Sequence, residues 1–242
     1  MSLFFNVSPA FIAKSTSAPV TSFTHVGASY ERSKTNSDDK TFTPPSNALP
    51  GDLLILTTFI DNNYEITTPP SGWTEIGNTT VGDAYTSFPG GNSYYQIYNG
   101  SDTEWTALWS DEDTSAGIVV AFRPDNPITT VTIEQFQGSY NVSPLSDTIS
   151  ADDVDPAVGG RIYMYFLTGR PTATFIQNPA PTFTPSSGWT HVDGDLSATG
   201  LTVDNMDYAY KLAAAGDSFV STTITTTDGG QQSQHFFIVN AV

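Results

Sequence analysis

The side chains of this 242-residue sequence that could do chemistry are three histidines and a few acidic clusters. His25, His191 and His235 stand singly. None falls in a His-x-His or His-Glu-x-x-His spacing, which would bring two imidazoles to one metal ion. The acids gather at Asp111-Glu112-Asp113, at Asp152-Asp153 with Asp155, and at Asp193 with Asp195. Paired carboxylates can hydrolyse a glycosidic bond, one as acid and one as base or nucleophile. Loop carboxylates also suit calcium, a hard cation. Gly, Ser and Thr flank these clusters, which reads as solvated turns, and no EF-hand pattern occurs. There is no Gly-x-Ser-x-Gly elbow and no phosphate-cradling glycine loop. With no cysteine, a thiolate nucleophile, a disulfide framework and a Cys-based zinc site are excluded. The expectation is a non-enzymatic chain with no catalytic residue, no metal site and no cofactor, a loop Ca2+ being the alternative.

Aromatic residues offer a different chemistry, stacking against sugars or protein. They crowd the stretch from Tyr85 to Trp109. Strand neighbours point to opposite faces, so some of these side chains are expected outward. Tyr94, Tyr98, Trp105 and Trp109 are the candidate binding surface, since outward aromatics mark contact surfaces.

Strands must position these groups. Charged residues are only 14% of the chain, and aromatics 12%. That balance, with abundant Thr, Ser and Gly, fits half-buried strands joined by turns. Strand candidates recur every 10–15 residues at 24–30, 53–60, 74–77, 93–98, 105–109, 117–122, 130–136, 161–167, 190–192, 207–212, 221–226 and 234–239. No 3.6-residue amphipathic pattern of helical length is present. The spacing predicts sandwiches or barrels.

Four landmarks recur in order. Thr68-Pro69-Pro70-Ser71-Gly72-Trp73-Thr74 returns as Thr184-Pro185-Ser186-Ser187-Gly188-Trp189-Thr190. Gly51-Asp52-Leu53-Leu54 returns as Gly160-Arg161-Ile162-Tyr163, and Tyr94-Tyr95-Gln96-Ile97-Tyr98 as Tyr208-Ala209-Tyr210-Lys211-Leu212. Each copy closes on an apolar strand, Ile118–Phe122 and Phe236–Val239. The prediction is all-β: two tandem, similar antiparallel β-sandwich modules, jelly-roll-like, at 21–125 and 126–242. Arg123-Pro124-Asp125-Asn126-Pro127 separates them. In each, the indole after the Pro-Ser-Gly or Ser-Ser-Gly turn is expected to plug one end of a core. Residues 1–20 fit neither copy and read as an N-terminal arm. Phe4, Phe5, Phe11 and Ile12 are its anchors for assembly.

The net charge of −17 argues against nucleic acid, which requires a basic footprint, and against an anionic membrane. The start of the chain lacks the basic and apolar regions of a signal peptide, and no apolar stretch is long enough to span a bilayer.

On the paired Gly-Asp-Leu-Leu, Thr-Pro-Pro-Ser-Gly-Trp-Thr and Tyr-Tyr-Gln-Ile-Tyr-Asn-Gly landmarks, residues 22–242 resemble duplicated β-sandwich proteins of bacteriophage virions. These include tail, fibre and head-decoration components, and some bacterial surface proteins are similar. The second copy departs from the pattern at Gly160-Arg161 and Pro185-Ser186. The resemblance implies a structural protein located in the virion. It implies other virion proteins and further copies of the chain as partners, with a host-surface glycan as a possible third. It transfers no catalytic residues. The alternatives are a carbohydrate-binding module or a bacterial surface adhesin, and, third, a hydrolase using the loop carboxylates.

Overall fold

The computed structural model describes residues 20, 22–60, 66–79, 90–142, 146–149, 160–170, 182–184, 186, 188–192, 205–213, 217, 221–225 and 231–242. The first half supplies β1 (Phe23–Phe42), β2 (Leu53–Ile60), β3 (Ile66–Thr68), β4 (Thr74–Thr79), β5 (Gly90–Ile97) and β6 (Trp105–Pro124). The second supplies β7 (Val131–Val142), β8 (Ser146–Ile149), β9 (Gly160–Arg170), β10 (Thr182–Thr184), β11 (Trp189–Val192), β12 (Asn205–Ala213), β13 (Thr222–Thr225) and β14 (Gln231–Ala241). Among the described residues there is no helix.

The β2 sequence, Leu-Leu-Ile-Leu-Thr-Thr-Phe-Ile, has no charged face. A strand of that kind must be covered on both sides, and all of β2 is buried. Leu53, Ile55 and Phe59 enter one core, while Leu54, Leu56 and Ile60 enter another. In β9, Ile162, Met164 and Phe166 join the first of these cores, and Tyr163, Tyr165 and Leu167 point into a third. Each fully buried side chain of this size contributes roughly 1.5–3 kcal/mol relative to exposure.

The sheets follow from this. One central sheet has the order β1-β6-β2-β5-β4 and the other β7-β14-β9-β12-β11, with every pair antiparallel. They face each other across the core that holds Leu53, Ile55, Ile118, Val120, Phe166, Phe237 and Val239, residues of both halves. Each central sheet carries a smaller layer on its other face. In the second half this layer is β10-β13-β8. In the first it comprises β3, the start of β6 and the end of β1. The result is four β layers enclosing three cores.

In the second half the first strand, β7, pairs with the last, β14; the second, β8, with β13; and the third, β9, with β12. This nested pairing is that of a rolled hairpin, or jelly roll. In the first half the two outer pairs run unbroken. β1 and β6 each continue through 20 residues from one layer into the next. β1 turns this corner through register shifts between Ser33 and Asp39, and such irregularities let a strand change sheets.

Two expectations are corrected here. The stretches 105–109 and 117–122 belong to one strand, so Asp111-Glu112-Asp113 lies within β6 rather than in a turn. Strands β3, β8 and β10 are additional, each only three or four residues long.

Register also repeats between the halves. Leu53 pairs with Ile97 and Phe122, as Ile162 does with Leu212 and Val239. Thr74 pairs with Tyr95, as Thr190 does with Tyr210. The two halves meet most closely where β4 crosses β7. A Cβ on Gly138 would stand 2.0 Å from the Thr79 methyl, and one on Gly77 would stand 2.6 Å from the Phe136 ring. Only glycine permits that approach.

Candidate functional site

Pro70-Ser71-Gly72-Trp73 forms a turn in which the Trp73 N–H donates to the Pro70 carbonyl at 3.3 Å. Gly72 has φ +84°, as the third residue of a type II turn requires. The turn delivers Trp73 to the start of β4, where it meets Trp105 edge-to-face at 5.0 Å. Glu75, two residues on, shares its face. Across the ladder Tyr94 pairs with Glu75, and Asn92 with Asn78. These five side chains line a cleft of about 440 Å³. Ile66 of β3 and Pro69 close the opposite side.

The cleft is polar and aromatic together. Asn78 Nδ2 donates to Glu75 Oε1 at 3.0 Å. The Trp73 indole N–H is buried without a hydrogen-bond partner among the described residues. Burial first, and then the Glu75 carboxylate, raise the Tyr94 phenol well above its usual range, so it remains an O–H donor. Among the described residues no lysine or arginine lines the cleft, so the Glu75 carboxylate leaves it with a negative charge.

The expected aromatic surface is otherwise corrected. Trp105 is 5% exposed, and Trp109 and Tyr94 are each 3% exposed, all packed with Phe42, Leu54 and Leu56 in the first half's outer core. They are structural, and Tyr94 alone of them lines the cleft. Tyr98 is half-buried, with its hydroxyl donating to the Asp102 carbonyl at 3.0 Å. The arm anchors Phe4, Phe5, Phe11 and Ile12 lie outside the described residues, as do Asp152, Asp153, Asp155, Asp193 and Asp195. Asp111 and Glu112 are exposed on β6, and the Asp111 carboxylate accepts from the Glu112 N–H. Among the described residues, no three His, Asp or Glu side chains cluster as metal ligands would.

The histidines prove to be packing groups. His235 is fully buried where the halves meet. Its Nδ1 lies 2.8 Å from Ser93 Oγ and its Nε2 lies 2.7 Å from Thr79 Oγ1, with Ser93 also bonded to Thr57 at 2.8 Å. Burial lowers its pKa to about 3, so one ring nitrogen donates and the other accepts. His25 crosses the same boundary from the first half. Its Nε2 is 2.9 Å from the Tyr208 hydroxyl and its ring stacks on Tyr210 at 4.7 Å. His191 stands at the Glu75 position of the second half, 3.8 Å from Asp207.

Alternation along β4 placed Trp73 and Glu75 on one face and could have flagged them. No local pattern in the sequence marks Asn78 and Asn92, because their role depends on strand pairing. No family model matches the chain, and no curated protein or solved structure matches it.

Proposed function

We propose that the chain is a non-enzymatic structural component of a bacteriophage virion, a tail, fibre or head-decoration protein that presents an acidic β surface. The motif resemblance gives the class, and the observation that carries the reading is architectural. Nested jelly-roll pairing is a construction used by viral capsid and lectin domains. Here its strand order occurs in both halves of the chain, which press face to face on a common apolar core. We read the halves as copies of one duplicated module. The support is an analogy of fold combined with motif, not of a site. Rigidity is a further support: both central sheets are covered on both faces, which suits a part exposed to the exterior of a particle.

The test is sedimentation of intact particles, with quantitation of the chain in the washed pellet. A fixed copy number per particle is expected. A chain found only in the supernatant overturns the reading. Val20, expected in the arm, is instead fully buried in the shared core, where its carbonyl accepts from the Gly160 N–H. Deleting residues 2–19, which spares it, is expected to abolish incorporation while leaving a folded protein, and normal incorporation would remove the arm from the proposal.

A further inference from the structure

The geometry points to the Trp73 cleft as a binding site for a neutral saccharide. This goes beyond a structural role and stands whether or not the chain belongs to a particle. A pyranose ring presents an apolar C–H face and a rim of hydroxyl groups. Recognition therefore calls for an aromatic wall beside planar amide and carboxylate groups able to bridge neighbouring hydroxyls. The cleft supplies Trp73 as the wall, the edge of the buried Tyr94 as part of its lining, and Glu75, Asn78 and Asn92 as the bridging groups. The Trp73 indole N–H is enclosed without a hydrogen-bond partner among the described residues, as is that of Trp189 in the second half, so what the cleft offers a ligand at Trp73 is the aromatic ring rather than this donor. A volume of about 440 Å³ falls within the roughly 300–1,000 Å³ usual for small-ligand sites.

Charge narrows the ligand. Glu75 sits in the lining, no lysine or arginine among the described lining residues offsets it, and the chain carries −17 overall. A sialylated, sulfated or phosphorylated sugar would be repelled. The same strand positions of the second half argue that the cleft is particular to the first. There Phe183 stacks flat on Trp189 at 4.5 Å, where an incoming ring would otherwise lie. Ala209 replaces Tyr94, and His191 with Asp207 replaces Glu75 with Asn92.

The experiment uses the purified full chain on a printed panel of neutral gluco-, galacto-, manno- and N-acetylglucosamine oligosaccharides, with sialylated and sulfated glycans beside them. The best neutral oligosaccharide is then titrated while tryptophan fluorescence is followed. Glu75 and Asn78 are both exposed, so Glu75→Ala with Asn78→Ala leaves the fold intact. That variant is expected to weaken binding at least about tenfold, one lost charged or amide contact being enough, while His191→Ala changes nothing. Silence of all neutral glycans, preference for the acidic ones, or unchanged binding by the double variant each overturns the site. None of these outcomes bears on sedimentation with particles, so the two proposals fail separately.

Discussion

The two halves make the same turn and then use its tryptophan differently. In the first, Trp73 touches Trp105 by an edge, and one side borders an open cleft. In the second, Phe183 lies flat on Trp189. The buried charges also trade places. Asp52 accepts two hydrogen bonds from Arg123 of β6, at 2.9 and 3.0 Å. At the matching place in β9 stands Arg161, whose Nε lies 2.7 Å from Glu134 of β7. The lesson is that strand order and register tolerate a reversed sign of charge and a refilled pocket, provided that the faces toward the shared core stay apolar.

The strongest way to break the comparison is to damage that shared core and ask whether both halves respond. Phe237 is fully buried and stacks near Phe166 and Phe136. Phe237→Ala is expected to cost about 3–5 kcal/mol. Three of the four tryptophans, Trp73, Trp105 and Trp109, lie in the first half. Tryptophan fluorescence therefore reports mainly on the half that is not mutated, whereas circular dichroism reports on both. With one cooperative unit, both urea midpoints fall together. A fall seen only by circular dichroism would mean that the halves unfold independently.

Acid sharpens the contrast between the two crossing histidines. His235 titrates near 6.5 when unfolded and near 3 when folded, because burial disfavours its charge. Between those values the unfolded chain binds the extra proton. Stability therefore rises with pH across this window, by about 1.4 kcal/mol per unit from this group, and is flat above 6.5. His235→Gln is expected to remove that slope from urea midpoints measured between pH 4 and 7. Burial also lowers His25, but that ring is half-exposed, so His25→Gln should flatten the profile less. Equal flattening would show that the two contacts are equivalent after all.

The reversed charges make a smaller test. The Arg161 side chain is wholly buried, whereas its partner Glu134 keeps 20% of its surface in water. Arg161→Met is expected to cost about 2 kcal/mol, less than for a pair with both members enclosed. Asp52→Asn leaves an acceptor for the Leu49 N–H and for Arg123, itself 42% exposed, and should cost less. The opposite ranking in thermal midpoints would mean that the first half, not the second, depends on its ion pair.

Each strand expected from turn residues and β-branched runs overlaps an observed strand, with Tyr98, Thr130 and Ser221 lying just outside the observed ends, because those signals are local. Sense of direction was not legible. Trp105, Ala107 and Trp109 alternate with Thr106, Leu108 and Ser110, so the sequence puts the two indoles on one face without saying which face is covered. The first half's own outer layer decides it, and Leu108 is left 38% exposed instead. The continuity of β1 and β6 was hidden for a similar reason. Ser, Asn and Asp residues near 33–39 and 110–113 read as breaks, yet they occupy the corners where strands pass between layers. The burial of His235 was also beyond reach, since Ser93 and Thr79 come from the other half.

The finest comparison concerns the turn itself. Gly72 and Gly188 have φ of +84° and +81°, and each turn is closed by a tryptophan N–H at 3.3 Å, to Pro70 in one and Ser186 in the other. An alanine in this left-handed region costs about 1 kcal/mol. Its methyl at Gly72 would meet Gln96 Oε1 at 3.5 Å, an ordinary contact, while at Gly188 it would meet Lys211 Cε at 3.2 Å. The lysine tip is flexible and can move, so backbone strain should dominate in both. Gly72→Ala and Gly188→Ala are therefore expected to lower stability equally, within a few tenths of a kcal/mol, in urea titrations. The first alone should also weaken any ligand held beside Trp73, because a shifted turn moves that indole. A cost present at one turn and absent at the other would mean that the shared Ser-Gly-Trp sequence serves the fold in one half only.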